Sequence, residues 1–393
     1  MRIYNFGEPP NRLGSDCLKW DVYGPAVIPL WVADMDFVSP EPVIKALTEK
    51  VEHGVFGYPS GIMGEPSELP ELRSAIIGRM ADRYNWEIKP EDILFIPGVV
   101  TGFNLANHAF VPDGHGVLIQ TPVYPPILKS AETTGKLYQA MELDRNEDGL
   151  YGVDWGAMEE SITANTRVFI LCNPHNPVGK VFSRAELERT AELCLRKGVL
   201  ICSDEIHCDL IFEGYKHIPI ASIDREVAQS TITLMAPSKT YNIAGLQCSF
   251  AIIQNENLRK CFTEARRGIV PWVNMMGLVA AEAAYIDGEE WFQQVMDYLS
   301  ANRDYLLDFF KSELPGVSMA EPQGTYLGWL DCRYAGLPEN PYEFFLKKAR
   351  VAFNNGVSFG KGGEGFLRIN FACSRYLLEK AMGRMKRAFE RIS

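Results

Sequence analysis

Between residues 92 and 253 the sequence repeats one unit: a short apolar run, then a segment with apolar residues at helical spacing. The runs are Ile93–Ile96, Gly116–Gln120, Arg167–Cys172, Val199–Ser203, Thr231–Met235 and Ser249–Ile253, and Ser183–Arg196 is a clear intervening helix. Continuous apolar strands alternating with helices predict an α/β fold, with a mostly parallel sheet covered by helices on both faces. Upstream, mixed Pro, Gly and polar residues read as an extended arm, followed by a helix at Glu41–His53. Downstream come helices at Met275–Tyr285 and Glu289–Leu314. Strands at Tyr326–Leu330 and Phe366–Phe371 then alternate with helices at Pro341–Ala349 and Arg375–Ile392. The expected division is an N-terminal arm and part of a small domain over 1–50, a large α/β domain over 51–285, and a small α+β domain over 286–393.

The 393 residues are 47% hydrophobic, enough for a large core and too many for a disordered chain. The 39 Lys and Arg against 50 Asp and Glu give a net charge of −11. Without a basic run, such a chain is not expected to hold nucleic acid or an anionic membrane by bulk charge, so an anionic ligand must be caught locally. The nine cysteines are scattered, with no CxxC spacing. They read as reduced core thiols, neither a disulfide framework nor a zinc site, and no metal is expected. The first residues lack an apolar leader and no run is long enough to span a membrane, which sets the expectation of a cytoplasmic protein.

In an open α/β sheet the ligand lies beyond the C-terminal ends of the strands. Five such ends carry suggestive residues. Pro97-Gly98-Val99-Val100-Thr101-Gly102 joins a strand to a helix N-terminus, whose free N–H groups suit a phosphate. Tyr124 is an aromatic braced by Pro122, Pro125 and Pro126. Asn173-Pro174-His175-Asn176-Pro177 presents amides. Asp204 is the first charge after a buried run, and His207 follows three residues later. Ser238-Lys239-Thr240 sets an amine among small residues, where partial burial lowers a lysine's pKa and suits it to Schiff-base chemistry. A phosphate cradle, a stacking ring, an amide, a buried carboxylate and an amine are together what pyridoxal 5′-phosphate requires.

The chain resembles the fold-type I pyridoxal-phosphate enzymes, the aspartate aminotransferase superfamily, along nearly its whole length, which implies a large pyridoxal-phosphate-binding domain with a seven-stranded-type sheet. Within these it is similar to the MalY/PatB-like branch of cystathionine β-lyases and C–S lyases. The residues carrying that likeness are Trp31-Val32-Ala33-Asp34-Met35-Asp36-Phe37, Phe56-Gly57-Tyr58-Pro59, Ser203-Asp204-Glu205-Ile206-His207, Ser238 to Leu246, and Arg368-Ile369-Asn370-Phe371-Ala372-Cys373. The resemblance implies that Lys239 is the Schiff-base lysine and Asp204 the partner of the pyridine nitrogen. It places Asn176 and His207 at the ring's 3′ oxygen, Tyr124 on the ring face, and Val99, Val100 and Ser238 around the phosphate. It further implies that Tyr58 reaches the phosphate of a neighbouring subunit in a homodimer with shared active sites, and that Arg368 grips the substrate carboxylate. The aminotransferase pattern often has a serine three residues before the lysine and an arginine eight after it, where this chain has Ala236 and Gln247.

The expected activity is a carbon–sulfur β-lyase acting on a small amino-acid thioether. An aminotransferase shares the chemistry up to loss of the Cα proton and is the alternative. A pyridoxal-phosphate fold that chiefly binds a regulatory protein is a third class, disfavoured by the presence of both Lys239 and Asp204.

Overall fold

The structure, a computed structural model, describes residues 2–60 and 68–392. The elements that position the site are, in chain order, α1 (Glu41–His53), α2 (Pro70–Tyr84), β1 (Ile93–Ile96), α3 (Val99–Phe110), β2 (Gly116–Thr121), β3 (Leu137–Glu142), β4 (Thr166–Cys172), α4 (Arg184–Lys197), β5 (Leu200–Asp204), β6 (Thr231–Met235) and β7 (Ser249–Ile252). They continue with α5 (Glu256–Ala265), α6 (Met275–Asp287), α7 (Glu289–Glu313), β8 (Ser318–Met319), β9 (Leu327–Asp331), β10 (Asn354–Asn355), β11 (Phe366–Asn370) and α8 (Arg375–Phe389).

The large sheet has seven strands in the order β1-β7-β6-β5-β4-β2-β3. Strands β3, β2, β4, β5 and β6 run parallel, and β7 is antiparallel to both of its neighbours. The central strands are apolar throughout because both faces are covered. Val168, Phe169, Ile170 and Leu171 of β4 are 0–1% exposed. The edge strand β3 was not anticipated. Its sequence, Leu-Tyr-Gln-Ala-Met-Glu, is mostly exposed and has no buried run to betray it.

Local chemistry sets the helix ends. Ser183 and Glu186 form a reciprocal capping box at the start of α4, satisfying two N–H groups left over by the first turn. Gly198 closes that helix in the left-handed region, at φ +67°. At α3, Gly102 lets helix and sheet touch: a Cβ there would stand 2.7 Å from Ile96 Cδ1 and 2.8 Å from Leu234 Cδ2.

A second sheet, β8-β9-β11-β10, is antiparallel. It shares one core with α7, α8 and the N-terminal arm, in which Phe6, Ile28, Leu30 and Phe37 pack with Trp291, Leu306, Leu367 and Met382. Ile28–Pro29 also pairs in parallel with Val351–Ala352. The two chain ends therefore meet, and the segment 31–37 is carried across the C-terminal edge of the large sheet.

Candidate active site

A cavity of about 360 Å³ opens at the C-terminal ends of the parallel strands, within the size range of small-molecule sites. Its lining includes Val99, Val100, Tyr124, Asn176, Asp204, His207, Ser238 and Lys239. Sequence positions spanning 141 residues, from Val99 to Lys239, are thus brought together. Arg368 stands directly behind Asn176, and its Nη1 donates to Asn176 Oδ1 at 2.9 Å. Tyr58 is elsewhere. It is 82% exposed, is not among the lining residues, and sets its ring edge-on to Trp272.

The end of the cavity at α3 is built by backbone. Gly98, at φ +99°, caps the helix without a side-chain partner for its N–H groups. Gly102 N is the first to bond within the turn, to Gly98 O at 3.2 Å. The amides of Val99, Val100 and Thr101 thus remain for an anion, backed by the dipole of a twelve-residue helix. Ser238 borders the same space.

Asp204 ends β5, and its Oδ1 accepts from Ile206 N at 3.2 Å. Burial pushes its carboxyl up to about 7; the Ile206 hydrogen bond works against this, Glu205 adds to it, and Lys239 opposes it. Such a carboxylate is poised to take a positively charged partner. His207 is held well below the ordinary imidazole value by burial and by the nearby charges of Lys239 and Arg368, so its ring is neutral. Its Nδ1 is buried without a hydrogen-bond partner. Burial also pushes the Lys239 amine down to about 8, with Asp34 and Asp204 opposing and Arg368 assisting. That value leaves a usable fraction of free amine near neutrality.

Arg368 is prepared to bind in a fork. Its Nη2 donates to Trp31 O (3.0 Å) and Asn354 Oδ1 (2.7 Å), the guanidinium lies over the Phe359 ring at 5.0 Å, and the buried Nε is unpartnered. Burial brings its pKa down to about 10, so it remains a cation.

Several residues that complete the site had no individual signal in the sequence. Ala33 offers its carbonyl oxygen to Lys239 Nζ at 2.7 Å and to Tyr326 Oη at 2.9 Å. Asn370 donates to the carbonyls of Val32 and Asp34, while Asn242 accepts from Met35 N and donates to the carbonyls of Met35 and Phe37. Beneath this segment Asp36 is 1% exposed and is matched by Arg12 (2.7 Å), Lys19 (3.0 Å) and Trp20 Nε1 (2.8 Å). His175 spans the carbonyls of Cys172 (3.2 Å) and Pro122 (2.8 Å), joining the loops that carry Asn176 and Tyr124. Among the described residues no three His, Cys, Asp or Glu side chains gather in a way that would hold a metal ion.

Strand ends of a doubly covered sheet that surround a cation-accepting carboxylate, a low-pKa lysine and a helix N-terminus define a class. The chain belongs to the aminotransferase class I and II family, whose model matches residues 26–385. Among individual proteins it is similar to the cystathionine beta-lyase PatB of Bacillus subtilis (strain 168), with 39% identity over 392 residues, covering 98% of this chain and 99% of that one. The crystal structure of cystalysin from Treponema denticola, which contains a pyridoxal 5′-phosphate cofactor, superimposes with a TM-score of 0.93 at 33% identity over the whole of both chains. The PLP-bound C–S lyase from Staphylococcus hominis gives a TM-score of 0.91 at 33% identity, covering 98% of this chain and 99% of that one.

Proposed function

We propose that this protein is a pyridoxal 5′-phosphate-dependent carbon–sulfur β-lyase of the cystathionine β-lyase type. The observation that carries the reading is the meeting of Lys239, Asp204 and the free N-terminus of α3 in one cavity. Full-length similarity to a cystathionine beta-lyase and to a C–S lyase supports the lyase outcome over transamination.

The donor set fits the cofactor. The amides of Val99 and Val100 with Ser238 would hold its phosphate, Tyr124 would cover a ring face, Asn176 and His207 would meet the ring oxygen, and Asp204 would pair with the ring nitrogen. When bound, pyridoxal phosphate supplies an electron-withdrawing ring that stabilises negative charge at the substrate Cα. The chain's own residues do the rest. Arg368 binds the α-carboxylate through a planar fork and orients the Cα–H bond. Lys239 Nζ, as free amine, takes the Cα proton. Asp204 stays ionised beside a cation, which a pKa near 7 permits once a positive partner arrives. Ala33, from the segment 31–37, lines the cavity and holds the Lys239 amine through its carbonyl. Overall, a thioether amino acid and one water give a thiol, pyruvate and ammonium: the Cα–H, Cβ–S and Cα–N bonds break and the water oxygen becomes the keto oxygen.

We further propose a cytoplasmic homodimer with shared sites. Val55, Phe56, Tyr58, Ile269 and Trp272 are 49–82% exposed in the single chain, an apolar face that a second copy would cover. All nine cysteines are free and seven are buried, in keeping with a reducing compartment. Among the described residues no helix is long and apolar enough to cross a membrane. Assaying the purified chain on L-cystathionine for pyruvate, with no keto acid added, tests the activity.

A further inference from the structure

A buried carboxylate outside the cavity is bonded to the residue that follows the lysine. Asp209 lies five positions beyond Asp204, with its side chain 1% exposed. Its Oδ2 accepts from Thr240 Oγ1 at 2.8 Å. Its Oδ1 accepts from the Tyr84 hydroxyl at 3.2 Å and pairs with Arg79 at 2.8 Å, and Arg83 stands 3.8 Å away. Both arginines and Tyr84 belong to α2. Arg83 also pairs with Glu289 at the start of α7. One carboxylate therefore ties the loop bearing Asp204 and His207 to the turn bearing Lys239, and ties both to a third element.

The turn itself is clamped from two sides. Tyr241 N donates to Pro237 O at 2.9 Å and Ile243 N to Ser238 O at 3.0 Å. Above, Asn242 holds the segment 31–37, which supplies the Ala33 carbonyl met by Lys239 Nζ. Below, the Thr240–Asp209 bond is, among the described residues, the one side-chain hydrogen bond of Thr240, a residue with no exposed surface. Asp209 remains ionised there: burial raises its carboxyl, and Arg79, Arg83 and Thr240 together more than offset this, leaving it below the ordinary value. Cys208, Tyr241 and Tyr285 also face this group.

We propose that Asp209 is a positioning residue for Lys239, which, through Thr240, fixes the turn so that the amine stays buried against the Ala33 carbonyl. This rests on the reading of Lys239 as the cofactor-bearing lysine. The charged groups that act on Lys239 directly are Asp34, Arg368 and Asp204, with neutral His207 and Tyr326 beside them. Asp209 is not one of them, so its influence runs through position. Its pairing with Arg79 alone would only pin α2 to the sheet, and Thr240 separates the two roles. Thr240→Val deletes the hydroxyl at nearly constant volume and leaves the Asp209–Arg79 pair intact, while Thr240→Ser keeps the donor.

The full-length protein is stripped of cofactor and remixed with pyridoxal phosphate across pH 6–10, following the visible absorbance of lysine-bound cofactor. The midpoint of the uptake rate reports the Lys239 amine. Wild type and Thr240→Ser should share a midpoint near 8. Thr240→Val should move it up by about one unit, toward an ordinary lysine, with about tenfold slower uptake at pH 7. Asp209→Asn, which cannot serve Thr240 and Arg79 equally, should move it the same way and replaces Thr240→Val if that variant does not fold. Wild-type midpoints and rates in folded Thr240→Val and Asp209→Asn overturn the positioning role. Failure of the wild type to take up cofactor at Lys239, read by borohydride reduction and peptide mass, overturns instead the reading of the site and the proposal with it.

Discussion

Lys239 Nζ donates to the carbonyl oxygen of Ala33 at 2.7 Å, joining positions 206 residues apart in the chain. The same oxygen accepts from the Tyr326 hydroxyl at 2.9 Å, so both of its lone pairs are used. A neutral amine has two N–H bonds and one lone pair. With one N–H fixed on Ala33, the direction of the lone pair is constrained, which is what a base at a single carbon requires. The N-terminal segment thus holds the lysine amine through a single backbone carbonyl.

Replacing Lys239 removes that amine. Lys239→Ala should lose the visible absorbance of lysine-bound cofactor, and turnover should fall by about a thousandfold or more, since general base catalysis alone contributes about 10²–10⁴. Tyr326→Phe is a milder change. It removes one neutral hydrogen bond, worth about 1 kcal/mol, and should slow turnover about fivefold with KM little altered. Steady-state kinetics and an absorbance scan check both variants.

Asp204 carries opposite consequences for stability and function. Its folded-state pKa, about 7, lies above the unfolded carboxyl value, so its contribution is favourable below the unfolded value and is lost as pH rises toward 7 and beyond. Asp204→Asn should therefore raise the melting temperature of cofactor-free protein at pH 8, by a gain of about 4 kcal/mol, and give no gain near pH 3. The same variant should bind cofactor weakly and lose orders of magnitude in rate. Thermal unfolding at the two pH values tests the sign.

Arg368 is predicted to act on substrate binding through geometry. Arg368→Lys keeps the charge but loses the planar fork held by Asn176, Asn354 and Trp31. KM should rise about 30-fold, corresponding to about 2 kcal/mol of charge-assisted hydrogen bonding, while the visible absorbance of the cofactor is retained.

Tyr58, exposed and away from its own cavity, is predicted to serve the other subunit. If the chain dimerises as proposed, Lys239→Ala and Tyr58→Phe proteins refolded together should form heterodimers in which one site has both residues intact. Activity should exceed that of either parent. Heterodimers with no recovered activity would show that Tyr58 does not act across the interface.

The large sheet was legible because its strands are buried on both faces and so read as apolar runs; β6 has the bounds predicted for it, Thr231–Met235. The edge strand β3 gave no such run. Helix α2 carries Leu72, Ile76 and Met80 four apart, a signal present in the sequence but absent from the elements expected from it. The cavity-lining residues were legible because they follow strand ends, where chemistry and chain position coincide. Ala33, Tyr326 and Asn354 were not, because their parts depend on a carbonyl direction or on contacts between distant segments. Asp209 lies two residues beyond the Ser203–His207 motif, yet only the fold reveals that its partner is Thr240, 31 residues on.

The most direct test of lyase chemistry is the balance of products from L-cystathionine incubated with the purified, cofactor-loaded protein and no keto acid. Thiol, pyruvate and ammonium should appear in equal amounts through many turnovers, and adding a keto acid should not accelerate them. Thiol-free product that forms only when a keto acid is supplied, with the amino group recovered on that acid, would contradict the lyase assignment and make this chain a transaminase.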